Sequence, residues 1–444
     1  MSKRTRLIIV IFCIVCFFVF APVLVAYSMG YRFDFDKRKV VATGGIYVRT
    51  FPTAEQVSID NNAPEKPGMF SDSVFVQSLL PKEHTVLIKK TGYYDYYKTL
   101  PVQENLASKL ENVLLFKKDI AFSDISDKVD YFSIAPNNQN IITATAGTKG
   151  TTFNYFSLNN TAQKKTLLIA QAGQVSDIKW ADNSNSILIE IKNSINTFYF
   201  LFDTTLATPS ATRLSYLDKN STQISFNPQN NLALFFIKNN ILYSAKGNSA
   251  LPEVNNIIAY KISGANVIWL STKGALNSSD FSGKILEELT KENIIINKTQ
   301  NYQIDTVAGK TFVQSESTTS VLNSEKKLLE SFEAPITNYK IITSPDNKNL
   351  IYWNSEKIYL YVVADKKFEQ IFSGNAITSC QWFNNDYIVF NSGEKVIISE
   401  IDYRGNINAV TLPQTTTSMF FNTQENKIYI LDQETLSVSE KLVP

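Results

Sequence analysis

The sequence predicts an all-β ectodomain behind one N-terminal transmembrane helix, with a small β-sandwich followed by a seven- or eight-bladed β-propeller. Three observations carry this prediction. An uncharged apolar run follows the first six residues, short alternating strands fill residues 44–117, and a strand-turn-strand pattern recurs through residues 118–444. Aromatic residues make up 12% and hydrophobic residues 44% of the chain, which suits packed β-structure.

The first element is the apolar run "LIIVIFCIVCFFVFAPVLVAY" at residues 7–27. At about 1.5 Å per helical residue it is long enough to cross a bilayer core of about 30 Å. Residues 1–6, "MSKRTR", form a basic tail that is expected to stay in the cytoplasm. The sequence therefore predicts a single-pass protein of the cell membrane whose C-terminal domains are extracytoplasmic, although basic residues at 32 and 37–39 weaken that orientation.

A cleaved signal peptide is the alternative interpretation of the same run. Signal peptides usually have an apolar region of about 7–15 residues and a small-residue cleavage site. This run is longer, and the exit "VAYS" is a poor match to such a site. An uncleaved signal-anchor is therefore favoured, and the contact with the lipid bilayer is assigned to residues 7–27.

Charge and cysteine content exclude several classes of protein. The 43 basic and 41 acidic residues nearly balance, so the basic excess of a nucleic-acid-binding protein is missing. Cys13 and Cys16 lie within the predicted helix, and Cys380 is the only other cysteine. The exported part can form no internal disulfide, and its stability must come from burial.

Residues 28–43 are predicted to be a short stalk, and residues 44–117 a small β-domain. The strand-like segments of this domain are "GIYVRT", "QVSID", "SVFVQSLL", "HTVLIKK", "YYDYYKTLPV" and "KLENVLLF". The stretches "GGIYVRTFPTAEQVSID" and "LLPKEHTVLIKKTGYYDY" resemble the PEGA domain, a small β-sandwich of surface proteins. The turn at residues 52–55 and Lys82 depart from that family's pattern. The resemblance implies a surface or wall-associated setting.

A tyrosine cluster in this domain raises the question of a ligand site. Alternation along a strand places Tyr94 and Tyr96 on one face and Tyr93 and Tyr97 on the other. Tyr94 and Tyr96 are the candidate ligand contacts, but packing in the wall of a small β-domain is the favoured interpretation. His84 is the only histidine, and it has no second histidine or nearby cysteine with which to bind a metal.

The remaining chain is organised by repetition. Six stretches combine a strand, a turn and a more apolar strand: "FSIAPNNQNIITATA", "IKWADNSNSILIEI", "ISFNPQNNLALFFI", "IITSPDNKNLIYW", "CQWFNNDYIVFNS" and "MFFNTQENKIYIL". Their turns are marked by Pro136, Ala181, Pro228, Pro345, Asn384 and Thr423. The spacings are 45, 47, 117, 39 and 39 residues, and 117 equals three periods of 39. Two weaker copies are therefore predicted near Val267 and Thr306.

A period near 40 residues with several short strands is typical of a β-propeller. Eight turn marks predict eight blades, and seven stays open because the middle copies are weak. Residues 119–126 are predicted to add an outer strand to the last blade and close the ring. A pair of β-sandwiches is the alternative architecture. The copy "SPDNKNLIYW" resembles repeats of the TolB-like propeller and of prolyl-oligopeptidase relatives.

Residues for catalysis are sparse. A catalytic triad would need a histidine in the propeller, zinc would need a histidine or cysteine cluster, and no phosphate-binding glycine motif is present. Paired carboxylates are the one open route, with acids scattered through the blades at Asp177, Asp305, Glu333 and Asp402. The turns at 182–186 and 346–349 resemble fragments of calcium loops but lack the glycine and glutamate of a full loop. No cofactor and no metal site is predicted.

The sequence thus predicts a non-catalytic binding or scaffold protein of the cell envelope rather than an enzyme. Its predicted partners, besides the bilayer, are an envelope protein or a cell-wall polysaccharide, and neither nucleic acid nor nucleotide. The alternative is a carbohydrate-active enzyme, a glycosidase or lyase, that uses two carboxylates in the propeller funnel.

Overall fold

The computed structural model describes residues 3–68, 71–247, 249–307, 309–316 and 318–443. Residues 1 and 2 of the predicted cytoplasmic tail lie outside this part of the chain. The chain divides into two compact units. The N-terminal unit comprises residues 1–120, 398–413 and 441–444, and the propeller unit comprises residues 121–397 and 414–440.

The N-terminal unit begins with a long apolar helix, α1 (Lys3–Ser28). Its 24-residue portion Thr5–Ser28 is the one helix of the described residues that is long and apolar enough to cross a membrane. Two residues after the helix, Gly30 adopts a φ of +87° and donates its N–H to the Tyr27 carbonyl at 3.2 Å. A glycine in this left-handed conformation is a common helix stop because it has no Cβ to clash.

A two-stranded hairpin of β1 (Tyr31–Asp34) and β2 (Lys39–Ala42) follows directly. The hairpin occupies most of the segment predicted to be a stalk. Its turn is held by Asp34, whose Oδ1 accepts the N–H groups of Asp36 at 2.9 Å and Lys37 at 3.1 Å. Such a side chain satisfies the donors that the turn leaves unpaired.

Two three-stranded sheets in the order β5-β3-β8 and β4-β6-β7 complete the unit, and β3 and β8 run parallel. The strands are β3 (Gly44–Phe51), β4 (Gln56–Ile59), β5 (Ser73–Leu79), β6 (Glu83–Lys89), β7 (Tyr96–Pro101) and β8 (Ala107–Leu114). Both sheets contribute to one core that includes Ile46, Val48, Val57, Val86 and Ile88. The segments with alternating residues therefore form a β-sandwich, since each strand directs every second side chain inward.

The propeller unit is built around eight four-stranded antiparallel sheets within the described residues. The first four sheets are β10 (Tyr131–Ile134), β11 (Asn140–Gly147), β12 (Gly150–Ser157), β13 (Asn160–Ile169); β14 (Gln174–Trp180), β15 (Ser186–Lys192), β16 (Thr197–Asp203), β17 (Ala211–Arg213); β18 (Thr222–Asn227), β19 (Asn230–Lys238), β20 (Ile241–Lys246), β21 (Ser249–Asn255); and β22 (Ile257–Ser263), β23 (Asn266–Ser271), β24 (Leu276–Ser279), β25 (Ile285–Glu288). The next three are β26 (Gln303–Val307), β27 (Lys310–Gln314), β28 (Thr318–Asn323), β29 (Leu328–Glu333); β30 (Lys340–Thr343), β31 (Asn349–Trp353), β32 (Lys357–Val362), β33 (Lys367–Ser373); and β34 (Cys380–Trp382), β35 (Tyr387–Ser392), β36 (Lys395–Glu400), β37 (Ala409–Thr415). The eighth sheet joins β38 (Ser418–Asn422), β39 (Lys427–Asp432) and β40 (Thr435–Ser439) to β9 (Phe122–Ser126).

The second strand of each sheet explains why the repeats contain uniformly apolar runs. Neighbouring residues on a strand point to opposite faces. On β15, Leu188 packs in the core shared with the third sheet, whereas Ile189 packs in the core shared with the first. The same division holds for consecutive residues of β11, β19, β23 and β27. The first five sheets are therefore each buried on both faces by their neighbours.

The ring closes between the eighth sheet and the first. Leu431 and Tyr429 of the eighth sheet share a core with Phe132 and Ile141 of the first. The strand β9, which precedes the first sheet in the chain, pairs with β40 as the outermost strand of the eighth. The prediction that residues 119–126 close the ring is confirmed. A ring of eight sheets is a β-propeller, and the alternative of two sandwiches is wrong.

Most of the turns that mark the repeats share one hydrogen-bonding pattern. The first turn of a sheet joins its first and second strands. In six of the eight first turns within the described residues, the side-chain oxygen of an Asn or Asp accepts the N–H of the residue two positions later. These residues are Asn137, Asn183, Asn227, Asp346, Asn384 and Asn422. These Asx turns explain the recurring Asn and Asp residues by conformation alone. The oxygens of Asn183 and Asp346, which lie in the two segments resembling calcium loops, serve this purpose.

Candidate functional site

A cavity of the propeller unit lies at the beginning of its innermost strands. Its volume is about 830 Å³. It extends over the third to sixth sheets and is bordered by the first residues of β18, β22 and β26 and by the turn after β27. The innermost strands of a propeller surround its central channel, so this cavity opens towards the channel. Ligand sites are typically cavities of about 300–1,000 Å³, and this one falls within that range.

An unpaired amide lies in the cavity wall. The side chain of Gln314, the last residue of β27, is 3% exposed and lines the cavity. Its Nε2 atom is buried and has no hydrogen-bond partner in the described structure. Buried polar groups are nearly always paired, because an unmet donor costs about 1–3 kcal/mol. The Gln314 amide is therefore a donor available to a ligand.

Gln223 shapes the cavity by connecting three sheets. Its Nε2 donates to the carbonyls of Ile258 at 3.1 Å and Tyr302 at 3.0 Å. Its Oε1 accepts the N–H of Tyr260 at 3.1 Å. Gln223 has a φ of +50°, an uncommon value for a residue with a side chain. The third, fourth and fifth sheets are thus held together at the cavity by one side chain.

The cavity lining carries two basic residues, Lys261 and Lys298, and two acidic residues, Asp305 and Glu316. Lys261 Nζ lies 3.1 Å from Asp305 Oδ1, and Gln303 Nε2 donates to Asp305 Oδ2 at 2.7 Å. The neighbouring Tyr260 hydroxyl donates to the Gln223 carbonyl at 2.6 Å, and burial raises the pKa of this phenol. The tyrosine stays neutral, and the two basic and two acidic residues of the lining balance in charge. The site therefore favours an uncharged ligand.

A second cavity of about 570 Å³ continues from the first along the inner strands of the second to fourth sheets. The two cavities share Gln223, Ile224, Tyr260 and Lys261. Trp180 and Phe226 add aromatic surface to the second cavity. Both cavities are lined by amides, hydroxyls and aromatic side chains, which are suited to contacts with an extended polar ligand.

Three of the four acids named from the sequence are paired with basic side chains. Asp177 lies 3.8 Å from Lys179, Asp305 pairs with Lys261, and Asp402 lies 2.7 Å from Arg404. Burial acts to raise the pKa of Asp402, but hydrogen bonds from Arg404 and the charge of Lys98 leave that pKa lowered. Glu333 ends β29 as an exposed residue. Of these four acids, only Asp305 lines the larger cavity.

One carboxyl outside this set has a raised pKa. Burial, with a contribution from Asp280, raises the pKa of Glu253 on β21. A hydrogen bond from Ser282 lowers the pKa of Asp280. Both acids lie outside the residues that line the two cavities. Within the described residues, no group of three or more His, Cys, Asp or Glu side chains is arranged to hold a metal ion.

The tyrosine cluster lies in the N-terminal unit. Tyr96 is 4% exposed, and its hydroxyl donates to Glu400 Oε2 at 2.7 Å. Tyr94 is partly buried, and its hydroxyl donates to the Thr411 carbonyl at 3.3 Å. Ligand contact at Tyr94 and Tyr96 stays a prediction. His84 is buried between Asp60 Oδ2, 2.5 Å from its Nδ1, and the Leu80 carbonyl, 2.8 Å from its Nε2.

Sequence reasoning did not find Gln314, Gln223 or Lys261. All three lie in or beside the weakly repetitive middle sheets, and no motif distinguishes them from other polar residues. Only the position of these residues around the ring identifies them.

Comparison with known proteins gives solved structures alone, since no family model and no curated protein matches this chain. BamB from Moraxella catarrhalis aligns at a TM-score of 0.47 with 11% identity, covering 72% of this chain and 98% of that one. A KlHsv2 protein with loop 6CD replaced by a Gly-Ser linker aligns at 0.40 with 10% identity, covering 64% and 98%. The propeller assignment rests on the closed ring of eight sheets.

Proposed function

We propose that this protein is a membrane-anchored, non-catalytic binding protein whose propeller recognises a neutral polysaccharide of the cell envelope. The observation that carries this proposal is the buried, unpaired Gln314 amide in the wall of the 830 Å³ cavity. A sugar chain offers hydroxyl acceptors for that amide and apolar faces for the nearby tyrosines, and it brings no charge that the compensated Lys261–Asp305 pair would have to balance.

The anchoring part of the proposal rests on α1. The helix is apolar throughout Thr5–Ser28, and its side chains from residue 7 onward are mostly exposed in the N-terminal unit. Exposed apolar side chains over this length are stable in a bilayer rather than in water. We place the β-domains outside the cytoplasm and assign the N-terminal sandwich to the PEGA-like class, which fits a surface setting.

The test is co-sedimentation of the full-length chain, held in lipid nanodiscs, with insoluble purified cell-wall polysaccharide. The key variant is Gln314→Leu, which keeps the side-chain volume and removes the amide. Loss of one hydrogen bond to the ligand weakens binding by about tenfold. Because the amide is unpaired without ligand, the same variant should unfold at an equal or higher temperature than the parent.

The matched control is Gln163→Leu, on the exposed outer strand β13 of the first sheet. This variant should bind as the parent does. If Gln314→Leu sediments with polysaccharide as the parent does, the cavity is not the binding site. If the parent does not sediment with polysaccharide, the ligand class is wrong, and a protein partner becomes the favoured alternative.

A further inference from the structure

The hairpin β1–β2 presents an apolar face that no other described residue covers. Its register places Phe33 opposite Val40 and Tyr31 opposite Ala42. Tyr31 is 41%, Phe33 47% and Val40 62% exposed. Phe35, just beyond β1, is 81% exposed and packs edge-on against Phe33 with ring centroids 5.0 Å apart. Four large apolar side chains on one side of a hairpin require a partner.

The other face of the hairpin is packed. Asp34 and Val41 are each 3% exposed, and Arg32 on the same face donates from Nη2 to the Ser78 hydroxyl of β5 at 3.2 Å. Lys37 Nζ donates to the Pro81 carbonyl at 3.2 Å. The hairpin therefore lies against the β-sandwich through one face and leaves the apolar face uncovered.

The hairpin is also fixed to the end of the apolar helix. Arg32 Nη1 donates to the Tyr27 carbonyl at 2.7 Å, and the guanidinium stacks on the Tyr27 ring at 3.5 Å. The N–H and hydroxyl of Thr43 both donate to the Gly30 carbonyl, at 3.0 and 2.6 Å. Only two residues separate α1 from β1. A bilayer that contains the helix must therefore lie within a few residues of the hairpin.

The charges at the hairpin tip are mainly basic. Lys37, Arg38 and Lys39 are exposed beside one exposed acid, Asp36. Basic residues next to a membrane span attract anionic headgroups, and aromatic residues prefer the boundary between headgroups and acyl chains. The apolar face, the basic tip and the fixed connection to the helix all match the same partner.

We propose that the hairpin, residues 31–42, is a lipid-binding element that inserts Phe33, Phe35 and Val40 into the outer boundary of the bilayer and sets its basic tip on anionic headgroups. This inference rests on the membrane anchoring proposed above. The hairpin would fix the tilt of the N-terminal unit on the membrane, because it adds a second attachment beside the helix.

The test uses the full-length chain in phosphatidylcholine vesicles with and without phosphatidylglycerol, and with brominated acyl chains as a short-range quencher. Tryptophan is introduced as Phe35→Trp, and Val40→Trp is a second reporter on the same face. The four native tryptophans lie in the propeller unit, so the wild-type signal supplies the background. The control is Phe51→Trp, because Phe51 is 50% exposed and is the last residue of β3. At about 3.3 Å per residue, the length of β3 places Phe51 about 23 Å from Gly44, the first residue of that strand, which follows the hairpin closely.

We expect brominated lipid to quench the added fluorescence at positions 35 and 40 at least twofold and to leave that at position 51 unchanged. Arg38→Gln/Lys39→Gln should reduce the quenching at position 35 only when phosphatidylglycerol is present. If the chain floats with the vesicles but neither reporter is quenched, the hairpin proposal is wrong and the anchor stands. If the chain does not float, the anchor itself is wrong. If the quenching is the same with and without phosphatidylglycerol, and the same in the double variant, the proposed contact with anionic headgroups is wrong.

Discussion

Lys98 is the residue whose environment departs furthest from the ordinary. Its side chain is fully buried, yet each of its three ammonium donors has an acceptor: Glu400 Oε1 at 2.6 Å, the Asp402 carbonyl at 2.6 Å and the Asn406 carbonyl at 3.0 Å. Glu400 also accepts from Tyr96 and from the backbone and side chain of Asn408. A buried charge is tolerated only when it is paired in this way.

We predict that Lys98→Met destabilises the N-terminal unit by about 3–5 kcal/mol, because Glu400 is left as an unpaired buried charge. Hydrogen exchange measures this loss of stability: the amides of β6 and β7 should exchange about a hundredfold or more faster in the variant than in the wild type. Lys109→Met is the control, since its ion pair with Glu111 at 3.0 Å is exposed and such pairs contribute about 0–1 kcal/mol. Equal exchange in the two variants would contradict the prediction.

Asp60 gives the same unit a defined response to acid. Burial acts to raise its pKa, but hydrogen bonds from the Thr85 N–H and from His84 outweigh burial, and the pKa is lowered from 3.8. A lowered folded-state pKa adds stability that is complete above the unfolded pKa and is lost as pH falls through the folded value. We therefore expect wild type to lose stability more steeply than Asp60→Asn below about pH 4. Thermal unfolding at a series of pH values checks this, and parallel curves would refute it.

The sequence predicted the absence of a metal site at the lone histidine, and that stays a prediction. It did not predict that His84 pairs with Asp60 or that Lys98 pairs with Glu400. The two partners of the second pair are 302 residues apart in the chain. Only the folded unit brings them together.

At the scale of elements, Asn422 performs two functions where the other turn residues perform one. Its Oδ1 accepts the N–H groups of Gln424 and Glu425, as in the other Asx turns. Its Nδ2 also donates to the Asn138 carbonyl of the first sheet at 3.0 Å. Asn422 is 0% exposed, so this bond is made away from water at the point where the ring closes.

We predict that Asn422→Ala lowers the free energy of unfolding of the propeller by about 2–3 kcal/mol, because it opens both the turn and the ring-closing bond. Asn384→Ala removes only turn bonds to Asp386 and Tyr387 and should cost about 1 kcal/mol. Urea unfolding followed by tryptophan fluorescence measures both, because Trp180, Trp269, Trp353 and Trp382 all lie in the propeller unit. Equal costs would show that the bond to Asn138 adds nothing.

The strand pattern was predictable because its cause is local. Six of the eight marked turns combine an Asx residue with a following apolar strand. All eight predicted positions lie in or within a few residues of the first turn of a sheet. Even the weak copies near Val267 and Thr306 lie beside such turns. The segment 398–413 was not predictable in the same way. It contains the end of β36, the connection at residues 401–408 and most of β37. It nevertheless groups with the N-terminal unit, in which Glu400 and Asn406 bond to Lys98 and Thr99.

At the scale of the whole molecule, the ring was predictable and its cavity was not. The period of the repeats determines how many sheets form, and burial on both faces drives them to close. The cavity depends on which residues occupy the inner edges of the third to sixth sheets after closure. Gln314 and Gln223 are 91 residues apart in sequence, and both line the same wall. No local pattern encodes that relationship.

If α1 anchors the chain in a membrane, as proposed above, its orientation depends on a competition between two basic clusters. Lys3, Arg4 and Arg6 precede the apolar helix, and Arg32, Lys37, Arg38 and Lys39 follow it. Basic residues close to a span favour the cytoplasmic side, so the clusters oppose each other. If the hairpin binds headgroups on the outer surface, the N-terminal cluster must win this competition.

We predict that Lys3→Gln/Arg4→Gln/Arg6→Gln reduces the fraction of chains whose propeller lies outside the cytoplasm, because only the opposing cluster would then remain. The matched control, Lys37→Gln/Arg38→Gln/Lys39→Gln, should leave that fraction unchanged or increase it. Protease digestion of right-side-out and inverted membrane vesicles measures the fraction from the protected propeller fragment. If the N-terminal variant keeps the parent's orientation, the basic tail does not set the topology. The folded β-units or the hairpin would then have to do so.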